Sequence, residues 1–148
     1  MMRLETAKRI AHIKELVRQQ SQLGLAEAVA VTERENRKLD DLLRLRQQYV
    51  QALEDMLHDG RLLPAGWWLQ WEQFQQRLEE DIRRQRRQVD QAKRQEEHRR
   101  QEVLARSVDE NRWNKIRQMI YVQRVAEMQK QEQKELDDLA GMRHVYRR

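Results

Sequence analysis

Few side chains of this chain are spaced for catalysis. Asp137 and Asp138 are adjacent carboxylates near the end of the chain. Neighbours on a helix point about 100° apart, so these two make a poor acid–base couple. The four histidines, His12, His58, His98 and His144, are spread along the sequence, and no metal partner at helical spacing is evident for any of them. There is no HExxH and no GxxxxGK[ST], hence no zinc-protease helix and no phosphate-cradling loop. There is no cysteine, which removes disulfides, thiolate metal sites and a thiol nucleophile. The reading is a protein that is not an enzyme and needs no cofactor.

What such a chain can do is present surfaces, and its elements decide which. Charged residues make up 37% of its 148 residues, aromatics 5%, with four Gly and one Pro. So few turn formers cannot fold the chain back many times, and the composition is that of long helices or coiled coil around a narrow seam. The start, MMRLETAKRIAHIKEL, lacks the apolar run of a secretory signal, and no stretch approaches the roughly 18 apolar residues of a membrane span. A cytoplasmic chain is expected.

The net charge is +5. Residues 83–100, RRQRRQVDQAKRQEEHRR, hold eight Arg or Lys against three acids. That run could meet nucleic acid, acidic lipid or an acidic protein, or be an ordinary solvated helix face. Basic residues interleaved with Gln and Glu favour the solvated face. No aromatic lies between Phe74 and Trp113, so bases have no stacking platform there.

The only proline, Pro64, and three of the four tryptophans, Trp67, Trp68 and Trp71, fall within eight residues. Gly60 suits the left-handed position after a helix end, and Pro64 the first turn of the next. The reading is all-α: a long two-helix antiparallel coiled-coil hairpin in one domain, 1–148. Helix 1 covers about 3–58, the turn 59–66, and a longer helix 2 about 66–145. Trp71, Leu78 and Ile82 should face Leu42, Tyr49, Leu53 and Met56. The three tryptophans span about 400° of helix, so at least one should be exposed. Apolar residues Ile10, Ile13 and Val17 form one run, and Leu39, Leu42, Tyr49, Leu53 and Met56 another. The runs are out of phase, which implies a stutter in helix 1.

Folding at residue 62 makes facing positions sum to about 124. Ile10 then lies near Trp113 and Ile116. Opposite the small stretch AEAVAVT stands VDQAKRQEEH, where a bend, a gap or mobility is expected. Residues from about 124 onward have no internal partner. They carry Val125, Met128, Leu136, Leu139, Met142 and Tyr146, an amphipathic stripe that reads as a partner surface or as a frayed tail.

Two stretches resemble the FliJ family of the bacterial flagellar type III export apparatus. One is QQYVQAL followed by W-x-x-x-W-x-x-F-x-x-x-L around the turn: Tyr49, Leu53, Trp67, Trp71, Phe74 and Leu78. The other is QEQKELDDLAGMR near the end. The resemblance covers most of the chain in length and plan. This sequence has one more Trp in WWLQW than the family pattern, and Leu45 stands where an aromatic is common. The resemblance implies a stalk similar to the gamma subunit of rotary ATPases. Its partners would be the hexameric export ATPase FliI, the cytoplasmic domain of the export gate FlhA, and export chaperones. It also implies a location at the inner-membrane export apparatus. Leu42, Tyr49, Phe74 and Leu78 would then meet the gate. The ATPase end would combine Leu4, Ile10 and Ile13 with Leu136, Leu139 and Met142, with Lys130, Lys134, Arg143 and Arg147 steering it into an acidic pore. Two other readings remain at this point: the equivalent stalk of a virulence secretion system, and a basic coiled-coil adaptor for nucleic acid or acidic membrane.

Overall fold

A computed structural model describes residues 2–146. It contains two helices, α1 (Leu4–His58) and the longer α2 (Ala65–Tyr146), packed as an antiparallel hairpin, with no strand among the described residues. The expected Arg147 contribution lies outside the described residues.

The break between the helices follows from three residues. Gly60 has φ of 69°, the left-handed region that glycine enters without steric cost. Its amide donates to the carbonyl of Leu57 at 3.2 Å, and that of Asp59 to Asp55 at 3.0 Å, which closes α1. Pro64 supplies no donor, but its carbonyl accepts from Trp67 at 3.0 Å and Trp68 at 3.4 Å, which opens α2. The turn is thus residues 59–64, two shorter than expected, because the proline stands just before the first helical residue.

Contacts divide the chain into two compact units. Unit 1 joins Met1–Ser21 to Val103–Arg148, and unit 2 is Gln22–Glu102. In unit 2 the seam is held by Leu78, Ile82, Val89 and Ala92 of α2, all buried, with Ile82 only 1% exposed. Burying one such aliphatic side chain stabilises by about 1.5–3 kcal/mol. Thr32 is buried on the α1 side and turns its hydroxyl back to the carbonyl of Ala28 at 3.1 Å. Gln85 reaches across from α2 to the carbonyl of Glu35 at 2.9 Å and to its carboxylate at 2.6 Å. Among the described residues no buried side-chain nitrogen or oxygen lacks a hydrogen-bond partner.

The expected stutter is absent. The inward positions of α1 run Leu4, Ala7, Ala11, Lys14, Arg18, Ser21, Leu25, Ala28, Thr32, Glu35, Leu39, Leu42, Arg46, Tyr49, Leu53 and Met56. Their steps alternate three and four without interruption, an unbroken heptad pattern. Ile10, Ile13 and Val17 had suggested a different phase because they are β-branched apolar residues at steps of three and four. The structure instead buries Leu4 with the small Ala7 and Ala11, and leaves Ile13 55% exposed. Opposite charges make this possible further along the seam. Lys14 pairs with Asp109 at 2.9 Å, and Arg18 with Glu110.

The register agrees with the folding arithmetic. Lys14–Asp109, Arg18–Glu110, Glu35–Gln85, Arg46–Glu79 and Tyr49–Phe74 give sums of 123, 128, 120, 125 and 123, all within four of 124. Where small residues face polar ones in unit 2, an open surface hollow of about 370 Å³ is lined by Gly24, Ala28 and Val31 of α1 and Gln88, Ala92 and Gln95 of α2, among others. The seam beneath it is closed by Thr32, Val89 and Ala92, all buried, and α1 continues through this stretch as helix.

Candidate partner-binding surfaces

In unit 2 the aromatic cluster sits where α2 begins. The rings of Tyr49 and Phe74 stack at 4.1 Å with an interplanar angle of 20°. Trp67 meets Trp68 edge-on at 5.3 Å, and Trp68 meets Trp71 at 6.5 Å. Trp68 is exposed, whereas Trp67 and Trp71 are half-buried. A hollow of about 370 Å³ is lined by Tyr49, Trp67, Gln70, Trp71, Phe74 and Arg77 among others. Beside the stack, Arg46 pairs with Glu79 at 3.2 Å.

Of the four residues assigned to the gate, the structure brings Tyr49, Phe74 and Leu78 together around one small apolar pocket that Arg46, Val50 and Trp71 share. Tyr49 is 37% exposed and Phe74 half-buried, so both present surface. Leu78 is only 4% exposed. It supports the stack from within the seam and offers a partner almost nothing directly. Leu42 is half-buried on the same inward row of α1 as Tyr49.

Unit 1 holds the other assigned set. A hollow of about 530 Å³ is lined by Met2, Arg3, Leu4, Glu5, Ile120, Gln123, Arg124 and Glu127. The start of α1 therefore reaches Glu127, slightly further than the sum rule gave. Past it, every described residue from Met128 to Tyr146 is exposed, including Leu136, Leu139 and Met142. Leu136 lies nine residues beyond Glu127, roughly 14 Å along the helix. The two halves of this assigned site are thus not in one contact patch: Leu4 is buried in the seam, Ile10 is half-buried, Ile13 faces out, and the C-terminal three stand further along α2.

The charged groups of the seam are held by their partners. The Lys14 hydrogen bond lowers the pKa of Asp109, against the opposing effect of partial burial, and Arg112 and Arg106 add to the lowering. Glu35 is lowered chiefly by its hydrogen bond from Gln85, again against desolvation, with Lys38 contributing. Two histidines do have helical-spacing acids: His12 with Glu15 at 3.7 Å, and His98 with Glu102 at 3.2 Å. Both histidines are exposed, and Glu102 is shared with Arg99 at 3.1 Å. Among the described residues no group of three His, Cys, Asp or Glu side chains could hold a metal.

A helical hairpin with an aromatic turn end and an extended second helix is the plan the sequence resemblance implies, and comparison with protein families decides the matter. The family model described as Flagellar FliJ protein matches residues 5–148. The chain belongs to the FliJ family. It is accordingly a component of flagellar type III protein export, and the match takes in α2 to its end, including the exposed segment after Glu127. No curated protein and no solved structure matches the chain. No helix among the described residues is long and apolar enough to cross a membrane.

Sequence reasoning missed the ion pairs Lys14–Asp109 and Arg18–Glu110. The signal was available: reading the heptad back from Leu42 places both cations on the inward row.

Proposed function

We propose that this member of the family is a non-enzymatic central stalk of the export machine. In this reading the end of α2 enters the hexameric export ATPase, the Tyr49–Phe74 face contacts the export gate, and the chain escorts export chaperones, at the inner-membrane export apparatus. The observation that carries the reading is the run of α2 beyond Glu127. It is helical and exposed throughout to Tyr146, yet Leu136, Leu139 and Met142 recur on it at steps of three. An amphipathic helix with nothing in its own chain to cover it fits a partner's apolar sleeve. Burying three such side chains supplies about 5–9 kcal/mol before ordering costs, which leaves micromolar affinity at best. Lys130, Lys134 and Arg143 would add attraction to an acidic pore and salt sensitivity.

The test keeps the full chain. Leu136→Glu, Leu139→Glu and Met142→Glu together should leave helicity unchanged, because all three side chains are exposed, but abolish stimulation of the ATPase hexamer. A truncation after Glu127 should behave the same way while keeping the Met2–Glu5 contacts. ATPase stimulation equal to that of the unaltered chain in both would reject the stalk reading.

A further inference from the structure

In unit 1 the second helix is apolar on two sides. Towards α1 it presents Val103, Trp113, Ile116 and Ile120, all half-buried. Away from α1 it presents Leu104, Val108, Met119 and Val122, between 55% and 62% exposed. With Arg112 and Lys115 these form one row, at steps of four, four, three, four and three, which keeps them on one face of a helix.

The charges on this segment are sorted by side. Residues 104–126 contain two acids, Asp109 and Glu110, and five cations, Arg106, Arg112, Lys115, Arg117 and Arg124. Both acids turn inward and pair with Lys14 and Arg18 of α1. All five cations are exposed. Arg106, Arg117 and Arg124 stand at steps of three, four and seven from Trp113 and Ile120, on the α1 side, so the outer row carries two cations, Arg112 and Lys115, and no acid. The pairing inside is what makes it so, since unpaired acids would offset the cations.

We infer that the outer face of α2 over residues 104–126 is a docking surface for an anionic lipid bilayer, lying along the surface of the membrane. Three features favour a bilayer over the alternatives. A nucleic acid backbone would use the cations but give Leu104, Val108, Met119 and Val122 nothing to bury against. A rigid protein groove would have to place a carboxylate against both Arg112 and Lys115, which interrupt the apolar row at its centre, and desolvate each pair. At a bilayer those two side chains extend to headgroup phosphates while their stems stay on the apolar row. This face is separate from Leu136, Leu139 and Met142 and stands whether or not the stalk reading holds.

The full chain should co-sediment with vesicles of phosphatidylglycerol and phosphatidylcholine, and not with phosphatidylcholine alone. Added salt should weaken the binding. Arg112→Gln with Lys115→Gln should weaken it roughly tenfold or more at low salt. Val108→Glu with Val122→Glu should abolish it with unchanged circular dichroism, since both positions are exposed. Absence of binding to the anionic vesicles overturns the inference. So does binding that survives Val108→Glu with Val122→Glu, or a duplex DNA fragment that binds as tightly and is indifferent to those substitutions; either result means that the cations act without the apolar row.

Discussion

Tyr49 on α1 and Phe74 on α2 stack ring on ring at 4.1 Å, and they do so across the seam rather than along one helix. The contact pins the register of unit 2 next to the turn and at the same time leaves Tyr49 partly open to solvent. An aromatic pair of this kind contributes about 0.5–1.5 kcal/mol beyond the area it buries.

The first prediction follows from that double role. A double-mutant cycle of Tyr49→Ala and Phe74→Ala should give a coupling of about 1 kcal/mol in urea unfolding. Each single variant should remain helical at 25 °C, and Phe74→Ala should weaken binding to the cytoplasmic domain of the export gate. If Phe74→Ala unfolds the chain, the ring belongs to the seam alone and its assignment to the gate surface fails.

The second prediction tests the phase of α1 at Ile13 against a buried reference on α2. Ile82→Ala should cost about 2–4 kcal/mol, because the side chain is fully buried and leaves a cavity. Ile13→Ala should cost less than about 0.5 kcal/mol, as befits an exposed position. A loss at Ile13 comparable to that at Ile82 would restore the phase that Ile10, Ile13 and Val17 suggested.

The hairpin was legible because its evidence is local and strong. One glycine–proline cluster in a chain almost without either residue leaves a single place to turn, and the sum rule then follows. The phase of the first heptads was not legible from hydrophobicity, since Ala7, Ala11, Lys14 and Arg18 are weak or contrary signals of burial and Ile13 is a strong one. The inward row becomes evident only when Asp109 and Glu110 stand opposite the two cations. That Tyr49, Phe74 and Leu78 come together was legible from their spacing around the turn. That Leu78 is the support and Tyr49 the surface depends on which face each turns, and spacing alone left that open. The outer row of residues 104–126 was present in the sequence at steps of three and four, masked by Arg112 and Lys115.

The third prediction concerns pH. Asp109 and Glu35 both have folded pKa values below their ordinary ones, through Lys14 and Gln85. A depressed carboxylate stabilises the fold above its unfolded pKa, and that contribution is lost as pH falls through the folded one. The urea midpoint should therefore be steady near pH 7 and decline through and below the ordinary carboxylate range, about pH 4. Both groups are solvent-accessible, so the decline should be shallow and smaller in high salt. Asp109→Asn should flatten part of it. An acid limb identical in that variant would mean that other carboxylates carry the effect.

The last prediction sets two glycines against each other. Gly24 is helical in the middle of α1, and a Cβ there would meet only the Arg99 side chain, at 3.8 Å, an ordinary contact. Alanine at that position removes the entropic cost of glycine in a helix and should stabilise by roughly 0.5–1 kcal/mol. Gly60 has open space around its Cβ position, so packing would permit alanine equally well. Its φ of 69° does not, because a Cβ crowds the following carbonyl in the left-handed region, at about 1–2 kcal/mol. Gly60→Ala should therefore lower the urea midpoint while Gly24→Ala raises it, although neither creates a clash. Equal shifts of the same sign would show that the chain leaves α1 without the left-handed residue, and the closure of the hairpin at 59–64 would need another cause.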